Sequence, residues 1–483
     1  MKGKRDNSYR SIFRGTSVFG GVQLFQILAN LVRGKFVAMF LGPQGMGVSS
    51  LFTSTSTAIT QFSSLGLTLA ATKEVAEHQE DNEKLSAVIS TATWLINLCA
   101  CMGALFCIVA ASWLSRITFG TGDYSWEFVL LSLCIWLSVA SSGRMAVLQG
   151  LQRVKALTQA SVAGALVGLF AGVPLYYFFG VHGIVPAMIL LALSNWLFSG
   201  WHLRKAFPGV RVRRTWQERK PMVSNLLALG LTLVITILIG ALCNYMLNVF
   251  LRIFGNLDDI GLYNAANSIT NQYAGVVFAA MSLDYFPRLS SISNDTEEMN
   301  RVINRQSEIV SLIAAPMAIL IIAAAPLVIS LLLTAEFSSI TPLLRLMALG
   351  VLFKALAFPM GYISFAKNNR RIYIWLEGIT CNVIYLGFAV AGYLLFGLIG
   401  LGYAMAAEFL MNIVIYYAVN RRVYGYQFSR AALGQYLIAG MLTGGAYAAS
   451  LIPGALLSQS LMIAIFILSA SFTFLRLRTL LKR

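Results

Sequence analysis

The chain has 483 residues, of which 58% are hydrophobic and only 11% are charged, and its formal net charge is +17. In a soluble globular domain about one quarter of the residues are charged. The composition of this chain therefore excludes a soluble globular domain. Apolar windows of about 20 residues, the length needed to cross the hydrocarbon core, recur from end to end. The basic residues lie in the short gaps between these windows, which favours membrane topology over nucleic-acid binding.

The N-terminus is short and basic and leads into an apolar stretch that continues to Phe40, too long for a signal-peptide core. We therefore expect a retained first helix. About fourteen transmembrane helices are predicted by the 20-residue criterion. Their spans are Ser11–Phe40, Gly47–Thr72, Lys84–Leu114, Trp126–Gln149, Ala156–Phe179, Gly183–Ala206, Met222–Ile253, Ile260–Leu289, Val302–Leu333, Pro342–Ala366, Ile372–Leu395, Leu398–Val419, Ala431–Leu451 and Ser458–Leu477.

These windows predict an all-α polytopic integral membrane protein with two pseudo-symmetric six-helix lobes and two additional C-terminal helices. The first lobe covers residues 1–210, a basic connector covers 211–221, the second lobe covers 222–422, and the added pair covers 423–483. Lys and Arg concentrate in alternate gaps. This alternation predicts that both termini and the connector lie in the cytoplasm.

An internal repeat supports the two lobes. The sequence FLGPQGMGVSSLF begins at Phe40, and IFGNLDDIGLYNA begins at Ile253. In each, a glycine after a long helix is followed by a second glycine that opens the next helix, so that Gly42 and Gly47 correspond to Gly255 and Gly261. Two repeated lobes are typical of transporters, whose substrate site is expected between the repeats.

Arg33 ends a polar stripe in the first predicted helix. Gln23, Gln26 and Asn30 precede it at spacings of three and four, and Lys35 follows. Residues at this spacing share one helix face. Because charge near a bilayer core is costly, it usually faces a cavity or a partner. The stripe predicts a cationic cavity for an anionic substrate; snorkelling to the outer interface and a structural ion pair are the alternatives.

A second stripe lies in the other half of the chain, where Asn244, Asn248 and Arg252 follow one another at every fourth position. Snorkelling is an equal alternative for Arg252, which lies nearer the outer end. Lys354 is a further cavity candidate. Gln61 belongs to the Ser/Thr-rich face of the second helix, which either lines the cavity or joins helices by hydrogen bonds.

Three acidic residues are candidates for ion coupling. Glu377 and Glu408 lie inside predicted helices, and Asp284 lies near the end of another. A carboxyl at mid-membrane depth can hold a proton at neutral pH because desolvation disfavours its charged form. These groups are therefore candidates to bind H⁺ or Na⁺ in turn. The alternative is a buried pair with a basic residue of the same bundle.

Enzyme signatures are absent from the sequence. The six cysteines lie inside apolar windows and form no CxxC pair, and no HExxH motif or phosphate-binding glycine loop occurs. We expect no enzymatic activity, no cofactor, no metal site and no ATP-driven pump within this chain.

Four segments together resemble the polysaccharide-transporter branch of the MATE-like (MOP) superfamily. They are RGKFVAMFLGPQGMGVSSLF from Arg33, VLQGLQRVK from Val147, FPRLS from Phe286, and AKNNRRIYIWLE from Ala366. The last resembles O-antigen translocases, the Wzx-type flippases. Many members are described with twelve helices, so the C-terminal pair is a departure that lipid II flippases share.

The resemblance implies a flippase that moves an undecaprenyl-pyrophosphate-linked oligosaccharide, an O-antigen or related surface-polysaccharide repeat unit, between the leaflets of the bacterial inner membrane. It implies contacts with membrane lipids and with a polymerase or ligase of the same glycan pathway. A guanidinium group suits a pyrophosphate. The rival hypotheses are a lipid II flippase, a MATE-type drug or cation antiporter, whose pocket should be acidic, and a non-transporting scaffold.

Overall fold

The computed structural model describes residues 2–79, 81–207, 216–292 and 295–481, and this part of the chain is helical with no β-strand. Short 3₁₀ or π segments join several of its helices. The α-helices are α1 (Lys2–Ser64), α2 (Leu67–Glu77), α3 (Asn82–Val109), α4 (Ala111–Phe119), α5 (Ser125–Gly150), α6 (Val154–Phe179), α7 (Ile184–Ala206), α8 (Trp216–Phe254), α9 (Leu257–Ser291), α10 (Thr296–Leu332), α11 (Thr341–Ala366), α12 (Arg370–Tyr373), α13 (Cys381–Phe396), α14 (Gly400–Tyr424), α15 (Arg430–Ala449) and α16 (Ala455–Leu481).

In the described residues, nine helical stretches are long and apolar enough to cross a membrane, judged by length and composition alone. Three of these stretches contain two spans, divided at Gly42, Gly180 and Gly397, each of which has a positive φ. Helices α9 and α15 bring the spans to the fourteen predicted from the sequence. The all-α polytopic fold is therefore confirmed.

The first and second predicted helices are joined by a kink and not by a loop. Gly42 adopts φ 61° and ψ −168°, and Pro43 follows, so the helical ladder breaks while the chain continues into the next span. Glycine reaches this φ without steric cost. The predicted second helix, Gly47–Thr72, also differs, because it breaks at Leu65 and Gly66 and continues as α2 to Glu77.

The predicted third helix, Lys84–Leu114, divides as well. It ends at Val109, and the short helix α4 runs from Ala111 to Phe119. Hydropathy does not distinguish the two because both are apolar. The start of α3 has a clear cause, since the Asp81 carboxylate accepts hydrogen bonds from the Glu83 and Lys84 N–H groups, at 3.2 and 3.1 Å.

The chain divides into two compact units, Met1–Gly261 and Leu262–Arg483. In the first unit, buried Val75, Leu85, Val88, Ile89 and Val147 form one core cluster. In the second unit, two clusters share α10 and α11; one adds Tyr416 of α14, and the other adds Tyr436 of α15. The lobe boundaries at residues 210 and 222 stay a prediction.

Candidate functional site

The first unit contains an open polar cavity of about 430 Å³. Gln26 and Asn30, both predicted site residues, line it from α1, and Asn195 lines it from α7. None of the described residues that line it carries a formal charge. The other polar lining residues are Thr68, Thr72, Ser141, Ser142, Gln149 and Ser161. Amide and hydroxyl groups that both donate and accept can bind a neutral, hydroxyl-rich ligand.

The basic residues of the first stripe lie beyond this cavity along α1. Arg33 and Lys35 are half-buried, and neither lines the cavity. Arg33 acts electrostatically on the Tyr176 phenol of α6. Gln61 is half-buried and does not line it either. The structure thus brings Gln26 and Asn30 together in a cavity and leaves Arg33, Lys35 and Gln61 outside it.

The residues of the second stripe make hydrogen bonds within the first unit. Asn248 is fully buried, and its amide donates to the Asn244 main-chain carbonyl at 2.9 Å and to the Asn244 side-chain oxygen at 3.2 Å. The Arg252 guanidinium donates to the carbonyls of Ile117 at 2.6 Å and Thr118 at 3.2 Å. These carbonyls belong to the last turn of α4, where the helix cannot satisfy them itself. Arg252 therefore caps α4, a role that the sequence did not indicate.

Replacing Arg252 with glutamine should lower the free energy of unfolding by about 1–2 kcal/mol, because two charge-assisted hydrogen bonds to α4 are lost. Arg252→Lys should retain part of the stability, since it keeps the charge but lacks the planar fork. Thermal unfolding of the purified protein in detergent measures both. Arg116→Gln is the matched control, since Arg116 is an exposed arginine of α4, and its loss should cost less than about 0.5 kcal/mol. Equal losses for Arg252→Gln and Arg116→Gln would contradict the capping role.

In the second unit, Glu377 lies in a π-helical segment, Ile374–Thr380. Such segments occur often at functional sites. The Asn382 side-chain amide donates to the main-chain carbonyls of Glu377 and Gly378, at 3.1 and 2.8 Å. It thus provides hydrogen bonds to two carbonyls of the π-helical segment. The Glu377 carboxylate accepts a hydrogen bond from the Tyr416 hydroxyl at 2.7 Å.

Room for the Glu377 carboxylate is provided by Gly361 of α11. A Cβ at this position would lie 2.5 Å from the Glu377 Oε1 atom. The close approach fixes the carboxylate between α11 and α14, where Tyr416 also lies. The Tyr416 hydroxyl thus holds the Glu377 carboxylate, and the glycine at position 361 leaves the space that this carboxylate occupies.

Glu408 of α14 is 3% exposed, and its Oε1 atom accepts a hydrogen bond from the Asn412 amide at 2.7 Å. Its other oxygen has no hydrogen-bond partner in the described part of the chain. Lys354 of α11 interacts electrostatically with both Glu408 and Glu377. The Lys354 ammonium also lies over the rings of Phe278 and Phe409, at 5.7 and 5.4 Å from their centroids. Glu408 is buried and Lys354 and Glu377 are half-buried, and the structure brings these three predicted residues close enough to interact electrostatically.

The side chain of Asp284 lies outside the described residues, as does that of Gln23. Sequence reasoning missed Ser141, Ser142 and Asn195, because isolated polar residues in apolar helices show no periodicity. It also missed Gly361, whose role depends on a contact between two helices. The π segment gave no sequence signal that we recognise.

Comparison with known proteins identifies the family. Residues 36–342 match the family described as "Polysaccharide biosynthesis protein". The lipid III flippase of Escherichia coli (strain K12) is 23% identical over 361 residues, which cover 73% of this chain and 85% of the relative. A candidate O-antigen transporter of Shigella flexneri is 22% identical over 391 residues, 79% of this chain and 90% of the relative.

Solved structures show the same fold. An inward-facing multidrug resistance MATE family transporter of the MOP superfamily superposes with a TM-score of 0.72 at 17% identity, over 84% of this chain and 98% of that one. A lipid II flippase in an inward closed conformation gives 0.71 at 13% identity, over 96% and 99%. The chain belongs to the polysaccharide biosynthesis protein family, and the MOP-superfamily resemblance predicted from its motifs is confirmed.

Proposed function

We propose that this multi-pass membrane protein is a flippase for an undecaprenyl-pyrophosphate-linked oligosaccharide, an O-antigen or related surface-polysaccharide repeat unit. It moves this lipid from the cytoplasmic to the periplasmic leaflet of the bacterial inner membrane. The observation that carries the proposal is the uncharged polar cavity of the first unit. Its hydroxyl and amide groups suit sugar hydroxyls, which need both donors and acceptors. The named relatives, a lipid III flippase and a candidate O-antigen transporter, support the proposal.

Arg33 and Lys35 complete the proposed site. They lie one to two helical turns beyond Asn30 on α1, so a glycan in the cavity has cationic side chains about 5–8 Å further along the helix. A pyrophosphate is best held by arginine. In this proposal the lobes 1–210 and 222–422 alternate between inward- and outward-open states, both termini are cytoplasmic, and Glu377 or Glu408 takes up H⁺ or Na⁺.

The cavity also argues against the MATE-type cation exporter. A pocket for organic cations needs carboxylates, and no acidic side chain occurs among the described residues that line this cavity. The cavity does not distinguish the proposed function from that of a lipid II flippase, so a substrate assay is needed to separate them.

The first test is lipid extraction and mass spectrometry on a strain depleted of this protein. We expect undecaprenyl-pyrophosphate oligosaccharide to accumulate and the surface polymer to be lost, and the mass identifies the glycan. Accumulated lipid II instead would assign the protein to peptidoglycan precursors. Unchanged lipid-linked intermediates, together with cation efflux, would contradict the flippase proposal.

The cavity itself is tested by Asn30→Leu and Asn195→Leu. Each removes an amide that binds sugar hydroxyls, and an unpaired polar group costs about 1–3 kcal/mol, so transport should fall roughly tenfold. The readout is the ratio of accumulated lipid-linked oligosaccharide to surface polymer. Val32→Leu is the control, because Val32 is an exposed residue of α1 that does not line the cavity. Normal transport in both asparagine variants would remove the cavity from the substrate path.

A further inference from the structure

A second cavity, of about 680 Å³, lies along α7 of the first unit, with Arg144 of α5 and Val167 of α6 completing its described lining. Its described lining includes two arginines, Arg144 and Arg204, and two tryptophans, Trp196 and Trp201, and contains no acidic residue. Neither the family resemblance nor the proposed glycan cavity accounts for this group of side chains. Aromatic and basic residues together are typical of the membrane–water interface.

Arg144 is held in place before any ligand arrives. Its Cζ atom lies 4.2 Å from the centroid of the Trp196 ring, and its Nη1 atom donates to the Trp196 main-chain carbonyl at 2.7 Å. Gly200 leaves the space for this group, since a Cβ there would lie 2.5 Å from Nη1. A guanidinium group has five donor hydrogens. The stack and the carbonyl fix its plane while other donors stay available.

The described lining of this cavity contains no carboxylate that would compensate its positive charges. Arg204 is exposed, lies close enough to Arg144 for the two charges to repel, and has no ion pair with a described carboxylate. Lys205 follows and lies over the Trp201 ring at 5.5 Å from its centroid. Two cations brought together without an acid favour an anion between them.

The depth of the cavity fits a lipid headgroup. Arg144 is six residues before the end of α5 at Gly150, about 9 Å along the helix, and Arg204 is in the last turn of α7. Leu197 and Trp201 at the rim are 53% and 59% exposed. The charged residues thus lie near the end of the spans, beside an apolar surface that acyl chains can cover. The predicted topology puts this end at the cytoplasmic leaflet.

We propose that this cavity binds the phosphate of an anionic phospholipid of the cytoplasmic leaflet, with Arg144 and Arg204 on the phosphate and the acyl chains along α7. A resident phospholipid is favoured over the lipid-linked glycan, because the cavity offers no free amide for sugar. The one hydroxyl of its described lining, on Ser194, has its hydrogen shared between the carbonyls of Leu191 at 2.8 Å and Gly164 at 3.2 Å. Basic pockets between transmembrane helices bind such headgroups.

Native mass spectrometry of the full-length protein, released from nanodiscs of equal parts phosphatidylglycerol and phosphatidylcholine, tests the proposal. The wild-type protein should retain phosphatidylglycerol in preference to phosphatidylcholine. Arg144→Gln/Arg204→Gln should reduce the retained phosphatidylglycerol about tenfold. The matched control is Arg421→Gln/Arg422→Gln, an exposed arginine pair at the end of α14 in which Arg421 also lies over a ring, that of Tyr417 at 5.9 Å. This control should retain phosphatidylglycerol as the wild type does.

Two further variants keep the test decisive. If the double variant fails to fold, Arg204→Gln alone is used, because the exposed Arg204 side chain is not built into the helix packing. Arg144→Lys keeps the charge but loses the planar stack and should give an intermediate retention. Unchanged phosphatidylglycerol in Arg204→Gln and in the double variant would overturn the proposal. Preferential retention of added undecaprenyl pyrophosphate at these arginines would overturn it in favour of a substrate site.

Discussion

Replacing Lys354 with methionine should lower the free energy of unfolding by about 3 kcal/mol and abolish transport. Methionine keeps much of the side-chain length and its contacts with Phe278 and Phe409, but it removes the cation that interacts with Glu377 and Glu408. Removing one partner of a buried ion pair costs about 3–5 kcal/mol, and the longer-range interactions of the half-buried Lys354 place its loss at the lower end of that range. Thermal unfolding in detergent gives the stability, and accumulation of the lipid-linked intermediate in cells gives the transport.

The control for Lys354→Met is Lys73→Met. Lys73 forms an ion pair with Glu77 at 3.6 Å, but both side chains are 52% exposed, and an exposed pair contributes only about 0–1 kcal/mol. Lys73→Met should therefore unfold close to the wild-type temperature. If Lys354→Met were as stable as Lys73→Met, the three residues could not form a mutually stabilising cluster.

A double variant separates stability from coupling. Lys354→Met/Glu408→Gln removes one buried carboxylate together with the cation, so most of the lost stability should return. Transport should stay lost if Glu408 takes up the coupling ion, because glutamine cannot be ionised. Recovery of both stability and transport in the double variant would assign Glu408 a structural role only.

The long spans could be predicted from the sequence, but their breaks could not. Hydropathy windows measure how much apolar chain is available, and the fourteen windows correspond to helical spans in the structure. The breaks at Ala110 and at Leu65–Gly66, and the π segment that carries Glu377, change the hydrogen-bond register without changing hydropathy. A window average therefore cannot detect them.

The candidate site divides in the same way. Spacing along one helix predicted that Gln26 and Asn30 share a face, and both line one cavity. Spacing could not predict that Asn195 lines the same cavity, because its position depends on how α1 and α7 each pack against α6. For Arg252, spacing along the helix predicted a shared face but not the group that this side chain contacts. Its stripe suggested a cavity, but the helix that it caps, α4, was not separated from α3 in the sequence.

Replacing Gly47 with leucine should lower the free energy of unfolding by about 3 kcal/mol or more. The amount of folded protein should fall severely as a result. Gly47 and Gly261 hold equivalent places in the internal repeat, and each faces backbone from the other's segment. A Cβ at Gly47 would collide with the Leu257 carbonyl, and a Cβ at Gly261 would collide with the Pro43 carbonyl. Overpacking in a core costs about 1–3 kcal/mol when side chains can adjust. Backbone carbonyls cannot adjust in this way, so the cost should lie at or above that range.

The measurement is the yield of monodisperse protein after detergent extraction, followed by its unfolding temperature. Gly261→Leu should behave like Gly47→Leu because the two contacts are reciprocal. Gly440→Leu on α15 is the control, since nothing lies within 4 Å of a Cβ at that position. Gly47 and Gly261 lie in the same contact between two segments. The double variant should therefore lose less free energy of unfolding than the sum of the two single variants. Fully additive losses would mean that the two glycines act independently and that the reciprocal contact does not hold these segments together.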